Sequence, residues 1–175
     1  MEFKKIQLNG FKSFAEKADF LIEDGLTGIV GPNGCGKSNI VESLRWAMGE
    51  TSAKSMRGSG MEDVIFSGTS NKASKNIAEV TIEVENKDKE GPVQYRDHDQ
   101  IQIKRKIEKD KGSKFYINGK EVRARDVQMF FADLSTGAHS PSMISQGRIG
   151  ALVTAKPTDR RAILEEAAGI SGLHV

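Results

Sequence analysis

One cysteine, one tryptophan, four prolines and an aromatic share of 6% leave this 175-residue sequence short of several structural devices. The lone Cys35 excludes an internal disulfide, and nothing in the chain calls for an oxidising compartment. No apolar run approaches the roughly eighteen residues of a membrane span. The opening residues, MEFKKIQLNGF, lack the apolar core of a secretory signal. There is no internal repeat of about 20–50 residues and no low-complexity tract. Charge of one sign is also missing. Lys and Arg number 26 against 24 Asp and Glu, so the net charge of +2 argues neither for nor against nucleic acid. What remains is a globular composition, 37% hydrophobic, with material for one core. The length suits one domain or a large piece of a bigger protein.

Hydrophobic periodicity organises that material. FKKIQL (3–8) and KADFLI (17–22) read as short strands joined by a hairpin-like connection, and LTGIVG (26–31) as a short buried strand. From Lys37 to Met48 the period becomes helical, with Ile40, Leu44, Ala47 and Met48 on one face and Gly49 as a stop. IAEVTIEVEN (77–86) alternates strictly, as a half-buried strand does. IQIKRKI (101–107) alternates again after a loop over 87–99. Asn118-Gly119 sits between two short strands, a strong hairpin signal. Helix returns at 124–134 and again at 156–169, where Pro157 suits the first turn and Gly169 the end.

The chemistry concentrates between an apolar run and a helix. Gly31-Pro32-Asn33-Gly34-Cys35-Gly36-Lys37-Ser38 fits G-x-x-x-x-G-K-[ST] in full, in the strand-to-helix context that the pattern requires. Glycines permit positive φ, so successive backbone N–H groups can turn inward around an anion. The helix amino terminus adds partial positive charge. Lys37 is then expected to neutralise the β- and γ-phosphates of a nucleotide, and Ser38 to offer its hydroxyl to Mg²⁺. Cys35 reads as a small residue that fits the loop rather than as a reactive thiol.

Turnover would also need a carboxylate to hold Mg²⁺ and activate water. MFFAD (129–133) superficially offers Asp133, but Val127, Phe130, Phe131 and Leu134 fall on a helical face, so Asp133 reads as a helix-end residue. No better candidate exists, and the catalytic carboxylate is expected to be missing.

Together the motifs carry a family resemblance. LNGFKSF (8–14), GIVGPNGCGKSNIVESLRWAMGE (28–50), MRGSGMEDVIFSGT (56–69), SMISQGRI (142–149) and KPTDRRAILEEAAGIS (156–171) occur in one order over nearly the whole chain. The chain resembles the amino-terminal head segment of SMC (structural maintenance of chromosomes) proteins, close to the bacterial type. The resemblance implies an α/β P-loop NTPase of the ABC-ATPase head type, amino-terminal lobe only. Its mixed sheet would carry an antiparallel β portion. Residues 1–169 would form this lobe and 170–175 the start of a coiled coil. The implied cofactors are ATP and Mg²⁺. The implied partners are the carboxy-terminal lobe of the same chain, which supplies the Walker B and signature motifs, a second SMC head, a kleisin-type subunit and DNA. A cytoplasmic, nucleoid-associated protein is the corresponding expectation.

Residue by residue, the resemblance implies that Pro32, Asn33, Gly34, Cys35, Gly36 and Asn39 line the loop. Lys37 and Ser38 take the phosphate and metal roles, and Gln146 reaches Mg²⁺ and the attacking water. Arg57 reaches the nucleotide in cis and links hydrolysis to DNA; a guanidinium is always charged and can bind phosphate bidentately. Lys12 and Ser13 fall in a segment near the phosphates, and Asp63 in the Met61–Ile65 segment near the base. LSTGAHS (134–140) imitates an ABC signature motif, but the family places its signature far downstream. The alternatives are a nucleotide- or DNA-binding module without turnover and the head of a related coiled-coil DNA-repair ATPase. A phosphotransferase is disfavoured, because no acceptor site or lid is recognisable.

Basic residues cluster at Lys104, Arg105, Lys106, Lys109, Lys111 and Lys114, with Lys72 and Lys75 in another loop. Such groups can displace counterions from a phosphate backbone, although Glu108 and Asp110 dilute them as in an ordinary solvated hairpin. No base-reading helix is recognisable, so DNA contact would be sequence-independent.

Overall fold

Alternating apolar and polar residues build one six-stranded sheet whose every described pairing is antiparallel. The computed structural model describes residues 1–25, 27–53, 57–87, 89, 92–133 and 154–161. The strands are β1 (Glu2–Asn9), β2 (Ala18–Leu21), β3 (Ile77–Glu85), β4 (Gln100–Glu108), β5 (Gly112–Ile117) and β6 (Lys120–Val122). Their order across the sheet is β2-β1-β3-β4-β5-β6. Two helices, α1 (Lys37–Ala47) and α2 (Ala124–Asp133), pack with the sheet, and short 3-10 segments lie at Met61–Val64 and Val93–Tyr95. Among the described residues no helix is long and apolar enough to cross a membrane.

The register follows the pleat. Val80 faces Arg105, Ile82 faces Ile103 and Val84 faces Ile101, so the inward side chains of β3 and β4 stack on one surface. That surface is closed by Trp46 and Ala47 of α1 and by Val127, Phe130 and Phe131 of α2, all buried. Burying each large apolar side chain contributes about 1.5–3 kcal/mol relative to leaving it in water. The outer face carries charged cross-strand neighbours, among them Lys5–Glu83 at 2.9 Å and Lys114–Glu121 at 3.1 Å. At the Asn118-Gly119 turn both residues have positive φ, 48° and 78°, as the two-residue hairpin requires.

Two expectations need correction. The run 26–31 is not a buried strand: residues 27–31 carry no strand assignment, Ile29 is 42% exposed and Val30 is 92% exposed. An apolar strand is buried only by strands or helices beside it, and this run has no strand partner among the described residues. On α1 the buried face is Ile40, Ser43, Trp46 and Ala47 together with Glu42, while Leu44 is only half-buried. Ile40, Ala47 and Met48 of the expected stripe are buried, Leu44 packs at its edge, and Trp46 and Ser43 widen the buried face. Elsewhere the expected elements form, α2 ending at Asp133. Of the last expected helix, 156–169, residue 156 is not helical, 157–161 are, and 162–169 lie outside the described residues.

One glycine directs the chain from β1 toward α1. Gly10 has φ +64°, and a Cβ there would lie 2.2 Å from the carbonyl oxygen of Ile77. After this bend Phe11 bridges to Phe14 and to Ile65, and the Lys12 amide donates to Val64 O at 2.6 Å. Residues 12 and 13 thereby come beside the start of α1.

Candidate functional site

The loop before α1 turns back on itself through two glycines in left-handed backbone, Gly34 (φ +81°) and Gly36 (φ +93°). Gly36 is the N-cap of α1 and supplies no side-chain cap. The first-turn N–H groups have no acidic side chain among them. An eleven-residue helix with such a start presents partial positive charge to any anion in the loop.

Lys37 completes the cradle. Its Nζ donates to Gly31 O and to Pro32 O, each at 2.5 Å, and lies 3.9 Å from Cys35 Sγ. The ammonium folds over the loop, held by neutral carbonyls. Pro32, Asn33, Gly34 and Cys35 are exposed, whereas Ser38 and Asn39 are half-buried on the first turn.

A polar chain reinforces the loop from below. Asn39 Nδ2 donates to Ser13 Oγ at 2.8 Å, and Arg57 Nη2 donates to Asn39 Oδ1 at 2.8 Å. A Cβ on Gly36 would lie 2.8 Å from Ser13 Oγ, so Ser13 packs directly under the cap. Lys12 Nζ and Arg57 Nε then meet the two oxygens of one carboxylate, Glu42: Lys12 on Oε2 at 2.5 Å and Arg57 on Oε1. Glu42 is 6% exposed.

Of the residues singled out from sequence, the structure brings Lys12, Ser13, Gly36, Lys37, Asn39 and Arg57 into one neighbourhood. Asp63 faces a different task. Its Oδ2 accepts from Ser59 N (2.6 Å), Ser59 Oγ (2.8 Å) and Gly60 N (2.9 Å). The Gly60 amide, then the Ser59 hydroxyl and amide, hold its carboxyl below the usual carboxylate range. It fixes the turn before the 3-10 segment Met61–Val64. Gln146 and the LSTGAHS segment lie outside the described residues.

Glu42 is the member that sequence reasoning missed. Its only local signal is spacing, three residues after Asn39 and hence on the same helical face. Its cationic partners lie 30 and 15 residues away in sequence.

Arg105 must be removed from the basic cluster. It is 3% exposed, because I-K-R-K-I places residue 105 on the same face as Ile103 and Ile107. Burial lowers its guanidinium to about 10, with Glu50 opposing that shift, and it stays a cation at neutral pH. Neighbouring lysines are partly answered by acids, Lys106 by Glu79 at 3.8 Å and Lys111 by Glu108 at 2.6 Å.

Comparison with known proteins gives a consistent picture. The family model described as RecF/RecN/SMC N terminal domain matches residues 2–148. The chromosome partition protein Smc of Rhodopseudomonas palustris is 56% identical over 174 residues, covering 99% of this chain. The chain spans only about 15% of that relative's length. A chain solved in work on ATP-driven dimerization and DNA-stimulated activation of SMC ATPases superposes with TM-score 0.82 at 30% identity. That match covers 95% of this chain and 99% of the other. An Smc head bound to the C-winged helix domain of ScpA superposes with TM-score 0.85 at 31% identity, covering 98% of this chain and 52% of the other. With the phosphate-type loop, the antiparallel sheet and these matches in agreement, the chain belongs to the RecF/RecN/SMC N terminal domain family as part of an SMC head.

Proposed function

We propose that this chain is the ATP-binding half of an SMC chromosome-partition ATPase head. Residues 1–169 form the amino-terminal lobe, and 170–175 begin the coiled coil. The observation that carries the reading is the loop Gly31–Ser38. Gly34 and Gly36 have left-handed backbone, the loop leads into α1, and among the described residues Lys37 Nζ is held by neutral acceptors, Gly31 O, Pro32 O and Cys35 Sγ, that a phosphate would displace. These residues fit ATP. Lys37 would bind the phosphates, with Pro32, Asn33, Gly34, Cys35, Gly36 and Asn39 lining them. Ser38 and Gln146 would hold Mg²⁺.

When bound, Mg²⁺ neutralises charge developing on the phosphates. The protein's part would be to hold them at the amino terminus of α1 beside Lys37. Lys12, Ser13 and Arg57 approach from the sheet side. Among the described residues no group of three His, Cys, Asp or Glu side chains could hold a metal by itself. The Walker B carboxylate and the signature motif are assigned to the carboxy-terminal lobe, so hydrolysis belongs to the assembled head. Two such heads engage around ATP, and a kleisin-type subunit and sequence-independent DNA are the further partners. The relative solved with a domain of ScpA supports the kleisin assignment.

The test is ATP binding and turnover in the full-length protein. K37A is expected to weaken binding at least a hundredfold; unchanged affinity would reject the loop assignment. Separately, residues 1–175 should hydrolyse ATP only after their carboxy-terminal complement is added, and robust turnover by the chain alone would sink the divided site.

A further inference from the structure

We infer that Glu42 is a positioning residue, a single buried carboxylate that sets both Arg57 and Lys12 against the base of the phosphate loop. This rests on the ATP-site reading above. A carboxylate that is 6% exposed is stable only when paired. Here each oxygen takes its own cation, Lys12 Nζ on Oε2 at 2.5 Å and Arg57 Nε on Oε1.

The backbone supplies an independent sign. Lys12 (φ 46°) and Arg57 (φ 52°) both sit in the left-handed region, which non-glycine residues rarely occupy. Such conformations persist where surrounding contacts over-determine them, typically at functional sites. For these two residues the shared contact is Glu42. Arg57 is further fixed through Nη2 to Asn39, whose amide reaches Ser13. Residues 12–13, 39–42 and 57 thus become one unit. Glutamine cannot replace Glu42, because its amide has one acceptor oxygen and turns an NH₂ toward the other cation.

The test uses the full-length protein. E42Q should lower kcat for ATP at least tenfold while KM changes less than threefold, since Lys37 and the loop backbone remain. R57A should give a similar loss, and E42Q/R57A should fall no more than twofold below R57A alone, as expected of residues acting through one unit. Wild-type kcat in E42Q, or losses that multiply in the double variant, would overturn the inference. Tryptic cleavage after Arg57, mapped by mass spectrometry without nucleotide, reads the clamp directly. It should accelerate at least fivefold in E42Q, and equal rates would also overturn the inference. Should E42Q fail to fold, E42D decides. Its shorter carboxylate cannot reach both cations, so kcat falls at least threefold and cleavage accelerates; wild-type values in both refute the role. A wild-type protein that binds no ATP would instead defeat the ATP-site reading and leave the cleavage comparison standing.

Discussion

The guanidinium of Arg105 lies 4.5 Å from the ring centroid of Trp46 and donates to the same residue's carbonyl at 2.8 Å. Its other face meets Phe115, also at 4.5 Å, and Nη1 donates again to Glu50 O at 2.6 Å. The cation thus binds β4 to the last turn of α1, where the helix dipole is negative, and to Glu50 just beyond it; Trp46 O accepts also from the Gly49 amide at 3.2 Å.

Because those carbonyls are buried with Arg105 as donor, we expect R105A to destabilise the protein by about 3 kcal/mol. R105M keeps most of the volume but not the donors, and should cost about half as much. Chemical denaturation of both variants checks the order; a loss below about 0.5 kcal/mol in R105A would mean that water reaches the carbonyls. Lys104, on the outer face of the same strand, gives the control: K104A should change stability by less than about 0.5 kcal/mol.

Gly36 links local conformation to binding. Any other residue must adopt φ +93°, and its Cβ must displace Ser13 Oγ from 2.8 Å. Backbone strain of this kind costs about 1–3 kcal/mol. We expect G36A to weaken ATP binding at least tenfold and to lower the melting temperature. Calorimetric titration would settle the first point, and normal affinity would show that the loop re-forms around the Cβ.

The contrast between these two positions shows what the sequence carries on its face. A phosphate loop is legible because its demands are local: glycines where φ is positive, a lysine, a hydroxyl, then a helix. Arg105 is legible too, in the alternation of Ile103, Arg105 and Ile107, although the lysines on either side mask that period with a run of charge. Glu42 was not legible. An acid inside an amphipathic helix ordinarily faces water, and only the tertiary approach of Lys12 and Arg57 makes its burial possible. The apolar run 26–31 failed for the complementary reason. Periodicity tells that a segment needs cover, not which element provides it.

Asp63 gives a pH dependence whose sign follows from its lowered carboxyl pKa. The folded state binds this proton less readily than the unfolded chain does, so its contribution is complete above the unfolded value. It is lost as pH falls through the lower folded value. We expect the Ser59–Gly60 amides to stay protected from hydrogen exchange near neutrality and to lose protection in acid. D63N should lose much of that protection already at pH 7. Equal protection in both proteins at pH 7 would mean that the carboxylate is not what holds the turn.

Val30 supplies the sharpest check on the divided head. It is 92% exposed and Ile29 beside it is 42% exposed, one residue before the phosphate loop begins. We expect the carboxy-terminal lobe of the proposed head to cover this apolar run, which would make the loop's position depend on that lobe. V30D should therefore change the stability of residues 1–175 by less than about 0.5 kcal/mol, as surface substitutions do. In the full-length protein the same change would bury a carboxylate without a partner, which costs several kcal/mol. ATP affinity should fall with it, because the loop loses its anchored approach. Denaturation of both proteins, with hydrogen exchange over residues 28–31, distinguishes the cases. Equal small effects in both would mean that the run stays in water, and that the lobes meet elsewhere.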